Sequence, residues 1–183
     1  MRPDPDSLPL LRRLHGRVFG CDEVRAVLAA AFAQLAASLE ARPGALHTMS
    51  VIPMDRLLED PMSAAGDPVR MCRLFLLRRG ARMAAPERHR NSVQRLVSWR
   101  GAGRIHQGAP GEGPDDLRPR EIRSPRGGLS GGSATDRELL ACWDVVPAGV
   151  WHFPEAGEGR DWATVTFHSA GEDEIVDELR EAR

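Results

Sequence analysis

The sequence predicts a mainly β domain, preceded by a helix and closed by a second, short helix. Three observations lead there. From Asp22 to about residue 41, apolar residues recur at the three- and four-residue spacing of an amphipathic helix. Beyond it, apolar residues come in short, dense runs bounded by Gly or Pro, the mark of buried strands. The chain has 183 residues, enough for one well-buried domain and short for two.

Taken in order, the first twenty residues are mixed and broken by proline, and no element is assigned to them. The helix follows, with Val24, Val27, Leu28, Ala31, Leu35 and Leu39 on one face. Asp22 and Glu23 favour its positive end, and Arg42-Pro43-Gly44 stops it. Residues 1–45 are therefore expected to form a helical segment packed on a domain spanning 46–183. In that domain Val69–Arg78, Ser92–Arg100, Leu139–Val146 and Trp162–His168 are expected to be strands, each rich in Val, Leu, Trp or Phe. Between Gln107 and Asp136 lies a stretch dense in Gly, Pro, Ser and charge, too long for a plain loop, so it is either a lid or hides short strands. Glu172–Glu181, with Ile175, Val176 and Leu179 on one side, is expected to be the terminal helix.

Composition removes several classes of function. The 25 basic and 26 acidic residues nearly balance, so nothing electrostatic points to nucleic acid or an anionic membrane. The chain contains no Lys and no Tyr, which removes Schiff-base chemistry and P-loop ATPases. Cys21, Cys72 and Cys142 are odd in number and unevenly spaced, unlike a disulfide framework or a zinc ribbon. No apolar run is long enough to span a bilayer and the N-terminus is unlike a secretory signal, so a cytoplasmic location is expected.

Two segments gather candidate ligands. Glu87 and His89 are separated by one residue, so on an extended strand both side chains share a face, with Gln94 five residues further on and Gly101 beyond it. Later, Pro147-Ala148-Gly149 forms a turn that delivers His152. These segments resemble the two motifs of the cupin superfamily, G-x5-H-x-H-x3–4-E-x6-G and G-x5-P-x-G-x2-H-x3-N. Glu87, His89, Gln94 and Gly101 fall on slots of the first, with Glu87 in a His slot and Gln94 in the Glu slot, while Gly80 lies one residue too far away. Pro147, Gly149 and His152 fall on the second, where Ala141 replaces its glycine and Ala156 its asparagine. The resemblance covers about 69–168. It implies an antiparallel β-barrel (jelly roll) holding a divalent metal at one mouth through Glu87, His89 and His152. Two imidazoles and one carboxylate suit non-haem Fe(II) and leave positions open for a small-molecule substrate and O₂.

The resemblance is narrower to the thiol-dioxygenase branch, which opens with helices, lacks the first-motif glutamate and carries Ser-x-His after the last ligand. Here Thr166 and His168 match that pair, and with Gln94 they are expected to orient substrate or take a proton. That branch has His where Glu87 stands and a tyrosine where this chain has Ala170, so the thiol is the weaker part of the likeness. Arg70 and Arg73 are expected as clamps for a substrate carboxylate, one strand parity facing inward, and Trp151 as a pocket wall. The resemblance implies an oxidoreductase acting on a small polar substrate such as cysteine or a related thiol, and a homodimer. Two alternatives use the same barrel: an isomerase, epimerase or lyase with another metal or none, and a small-ligand-binding module without turnover.

Overall fold

A computed structural model describes residues 3, 5–57, 69–125 and 134–180. Two helices come first, α1 (Leu8–Gly20) and α2 (Asp22–Glu40). Strands follow: β1 (His47–Ile52), β2 (Met71–Leu77), β3 (Glu87–His89), β4 (Gln94–Arg100), β5 (Ala102–Gln107) and β6 (Arg118–Arg123). A short helix α3 (Asp136–Cys142) precedes β7 (Trp143–Val146), β8 (His152–Ala156), β9 (Trp162–His168) and β10 (Asp177–Leu179). The strands form two five-stranded antiparallel sheets, ordered β1-β2-β9-β4-β7 and β10-β3-β8-β5-β6. No described helix is long and apolar enough to cross a membrane.

The predicted helix is α2, and β2, β4 and β9 lie within predicted strands. Three expectations are corrected, and one left between two alternatives is decided. The proline-broken N-terminus contains α1, because Pro9 sits in the first turn, where a missing N–H costs nothing. Leu10, Leu11, Leu14 and Val18 then supply its buried stripe. Leu139–Val146 is not one strand: α3 runs to Cys142 and only β7 is extended. The helix is nucleated by a capping box in which the Thr135 hydroxyl accepts from Glu138 N and the Glu138 carboxylate accepts from Thr135 N. The Gly-rich stretch, expected as a lid or as hidden short strands, holds the strand β6, paired along its length with β5, while its residues 126–133 lie outside the described ones. Finally, the expected terminal helix is a turn followed by β10, which pairs with β3. Residue 181, the end of that predicted helix, also lies outside the described residues.

Alternation assigns each strand of the first sheet two faces. Cys72, Leu74 and Leu76 of β2 and Ala163, Val165 and Phe167 of β9 meet Leu28, Phe32, Leu35 and Leu39 of α2 and the stripe of α1. Burying each large side chain there stabilises the fold by about 1.5–3 kcal/mol before chain entropy is counted. Arg78, just past β2, donates to Leu39 O at 2.6 Å in the last turn of α2 and to Ala45 O at 2.7 Å in the segment after it, tying the helix end to the sheet. Trp143 Nε1 donates to His15 Nδ1 at 3.2 Å, docking α1 on β7. The opposite face of the sheet looks into the sandwich, where Leu77, Leu96, Ile105, Ile122, Val146 and Trp162 form a second core.

The two long edges of the sandwich differ. At β6 and β7, Arg120 reaches across to Asp144, whose side chain is fully buried, and donates to Leu140 O at 2.5 Å. This ion pair joins sheets that share no ladder on that side. At β1 and β10 no such bridge is present among the described residues, and a cavity opens between the sheets.

Candidate metal centre and cavity

Antiparallel pairing, rather than nearness in sequence, assembles the donor set. β3 carries Glu87 and His89, and its register with β8 puts Glu87 opposite His152. The turn before β8 is anchored by Gly149, whose φ of 75° excludes most other residues and whose N–H donates to His89 O at 2.8 Å. One ligand atom from each of Glu87, His89 and His152 lies within 4.8 Å of the others.

The hydrogen bonds decide which lone pairs are free. His152 Nδ1 donates to Val150 O at 3.1 Å, which fixes its tautomer and leaves Nε2 as an acceptor. That Nε2 is buried, has no hydrogen-bond partner among the described residues, and stands 3.8 Å from Glu87 Oε1. His89 Nδ1 is held by Asp177 Oδ1 at 2.6 Å, so Nε2 remains as its ligand nitrogen. Gln94 Oε1 lies 2.7 Å from that Nε2, a contact that a metal on the nitrogen would replace. Electron-pair donors converging on one point repel unless a cation or a proton stands between them. Two imidazoles and a carboxylate therefore fit a divalent metal, with Gln94 beside them as a weak further donor. Burial pushes the Glu87 carboxyl above its usual range, opposed by His89 and Arg73.

Asp177 escaped the sequence prediction. It lies on β10, expected as helix, and reaches His89 because Asp177 and His89 are register partners. A carboxylate holding the far nitrogen of a ligating imidazole orients the ring and makes it more basic.

His168 adjoins the set. Its ring centroid is 5.0 Å from that of His89, it is fully buried, and neither ring nitrogen has a partner among the described residues. Burial, with His89 and Arg73 nearby, lowers its pKa to about 2, and burial beside His89 lowers that of His152 to about 3. Both are neutral in the folded protein, while an unfolded histidine titrates at 6.5. A lowered histidine pKa stabilises fully above the unfolded value and loses that contribution as pH falls below it. Metal-free protein is thus expected to lose stability from pH 6.5 downward, by about 1.4 kcal/mol per pH unit for each histidine. The raised Glu87 carboxyl works the other way and offsets part of this. Urea titrations at a series of pH values should show the slope, and His168→Asn should remove about one proton from it. A flat profile in the wild type would count against buried neutral imidazoles.

The cavity beside these groups has a volume of about 350 Å³. The β2-β9-β4 registers order its lining in layers. His168 pairs with Gln94 next to the donor set, then Thr166 pairs with Arg73 and Leu96. Thr164 and Phe75 come next, and Trp162 and Leu77 last. Trp162 can lie across the far end because Gly103 has no side chain: a Cβ there would fall 2.3 Å from the indole. Met49 of β1 and Leu179 of β10, 55% and 65% exposed, form the lips.

Of the residues expected to act together, Glu87, Gln94, His152, Thr166, His168 and Arg73 line this cavity, and His89 contacts them from behind. Two expectations are corrected. Arg70 has the opposite strand parity to Arg73 and pairs with Glu174 at 2.6 Å, away from the cavity lining. Trp151 faces away from its neighbour His152 and packs under the Arg88 guanidinium, 4.6 Å from the ring centroid.

No family model matches the sequence, and no curated protein matches it. Solved structures do. A point mutant of salicylate 1,2-dioxygenase from Pseudoaminobacter salicylatoxidans aligns at a TM-score of 0.54 and 13% identity, over 84% of this chain and 39% of that one. The same mutant in complex with gentisate aligns at 0.53 and 14%, over 86% and 36%. Vicilin from hazelnut, Corylus avellana, aligns at 0.47 and 14%, over 73% and 32%. This chain spans between 32% and 39% of the length of these three. Two antiparallel five-stranded sheets in this order, with the likeness to the dioxygenase, define the chain as having the cupin fold.

Proposed function

We propose that the protein is a non-haem Fe(II) cupin dioxygenase acting on a small polar, anionic substrate. The observation that carries this reading is the convergence of His152 Nε2, a His89 nitrogen and the Glu87 carboxylate beside an open cavity. When bound there, Fe(II) supplies one-electron chemistry and adjacent open positions for substrate and O₂. The remaining work falls to the chain's own groups. Arg73 would bind an anionic group of the substrate and fix its orientation, so that the reacting atoms meet without a further entropic cost. Neutral His168, with both nitrogens open, would exchange hydrogen bonds with the substrate, and Thr166 would orient it. Cysteine or a related thiol is one candidate substrate, on the matched Thr166 and His168 pair.

A second reading has one observation in its favour. A buried His168 with both ring nitrogens unpartnered among the described residues would hold and orient the substrate of an isomerase or lyase equally well. Anaerobic reconstitution with Fe(II) separates the cases. About one iron per chain, absent from the Glu87→Ala/His152→Ala double variant, together with substrate-dependent O₂ uptake, is the expected result. Folded wild-type protein that binds no metal would end the dioxygenase reading. Turnover insensitive to O₂ would transfer the site to the isomerase class.

A further inference from the structure

We infer that the ligand of this cavity is a carboxylate with an uncharged, apolar body, such as an aryl-substituted carboxylate or an alkyl one of similar bulk. Its carboxylate lies on Arg73 and its body points toward Trp162. The inference deepens the dioxygenase reading, narrows its candidates to acids without an ammonium and so away from cysteine itself, and rests on it for which end of the ligand is reactive.

Arg73 supplies the first half. Its side chain is half-buried in the cavity wall and makes no hydrogen bond or ion pair among the described residues. The charged and titratable groups that it influences are Glu87 and His168. Glu87 belongs to the donor set, and His168 is neutral. A half-buried guanidinium with no committed counter-ion, facing a cavity between the sheets, is a binding site for a planar anion, and a carboxylate matches its fork. Thr166, its register partner on β9, places a hydroxyl-bearing side chain beside the same spot.

The rest of the wall supplies the second half. Past Arg73 the lining is Phe75, Leu96, Ile105, Met83, Pro154 and the indole face of Trp162. Trp162 Nε1 already donates to Ser98 Oγ at 3.0 Å, so the indole offers the ligand only its ring. Thr164 and His47 are the remaining polar side chains in this part, and the His47 ring stacks on Phe75. A charged or strongly polar body placed there would lose its water with little in return. An ammonium fares worst. The two carboxylates in the lining are Glu87, in the donor set, and Asp177, engaged by His89. The volume of about 350 Å³ exceeds what a carboxylate and a few carbons would fill, and apolar walls with a few polar groups are the usual form of a small-molecule site. The exposed lips, Met49 and Leu179, continue the apolar wall outward.

Calorimetric titration of the purified protein, with and without Zn(II), tests this without any turnover. The probes are 3-phenylpropionate, its neutral analogue 3-phenylpropan-1-ol, and L-phenylalanine, which adds an ammonium to the same acid. The acid is expected to bind at least about tenfold more tightly than either of the others. Arg73→Gln should abolish its advantage over the alcohol, and Arg73→Lys should retain part of it. The inference is overturned if the alcohol binds as well as the acid, if the amino acid binds as well, if none binds, or if Arg73→Gln keeps the preference. The wild-type comparison among probes stands even if a variant fails to fold. Iron content is read separately. Selectivity through Arg73 in a protein that takes up no iron would sink the dioxygenase reading alone, and iron binding without selectivity would sink this inference alone.

Discussion

Replacing Arg120 with methionine is expected to cost about 3–5 kcal/mol of stability, a large share of the roughly 5–15 kcal/mol typical of a domain. The change leaves Asp144, which is fully buried, without the guanidinium that offsets its burial. Asp144 Oδ2 already has no hydrogen-bond partner among the described residues, and the hydrogen bond from the Val145 backbone does not replace a lost charge. Burial already pushes the Asp144 carboxyl above its usual range, with Arg120 opposing the rise. Removing that opposition raises it further. A raised carboxyl destabilises the fold above its unfolded value and relaxes as pH falls, so the penalty should shrink in acid. The pair is not valuable in itself. An Arg120→Met/Asp144→Leu double variant should recover most of the loss, because an apolar pair of similar volume avoids the desolvation of both charges. Urea unfolding of the two single variants and the double variant forms the cycle that measures this. A loss below about 1 kcal/mol in Arg120→Met would mean that Asp144 is solvated or protonated in the native protein. The consequence for function is indirect. The ion pair closes the β6/β7 edge of the sandwich, and the cavity opens at the β1/β10 edge instead.

What the sequence reveals depends on whether the deciding interactions are local. The α2 helix is legible because its apolar spacing and its stop are written within twenty residues. The β2 and β9 strands are legible because every residue or nearly every residue in them is buried, leaving dense apolar runs. Glu87, His89 and His152 are legible because alternation on a strand and a Pro-x-Gly turn constrain them at short range. The failures share a cause. The β10 strand is three residues long, largely exposed, and preceded by Ile175 and Val176, whose spacing to Leu179 imitates a helix face. Only its pairing with β3, almost ninety positions away, makes it a strand. Arg73 and Arg70 could not be told apart until the helices had claimed one face of the first sheet. The boundary between α3 and β7 did have a local signal, Thr135-x-x-Glu138, which the continuous apolar run from Leu139 to Val146 obscured.

Asp177 is the residue whose role follows from that distant pairing, and its removal carries the second large effect. Asp177→Ala is expected to weaken divalent-metal binding about 10–100-fold, because the His89 ring loses the acceptor that orients it and raises its basicity. Asp177→Asn keeps an acceptor oxygen without the charge and should fall between the two. The loss could instead arise from β10 detaching, and Glu178→Ala separates these causes. Glu178 binds Arg88 through both carboxylate oxygens, at 2.8 and 3.0 Å, and so anchors the same strand without touching His89. Chelator competition with Zn(II) should therefore show a weakened Asp177→Ala protein and a Glu178→Ala protein close to wild type. Equal weakening in both would assign the effect to strand docking. Wild-type affinity in Asp177→Ala would show that the carboxylate does nothing for the metal. Unlike an activity assay, this measurement reads the donor set directly, so it remains decisive whatever substrate the cavity takes.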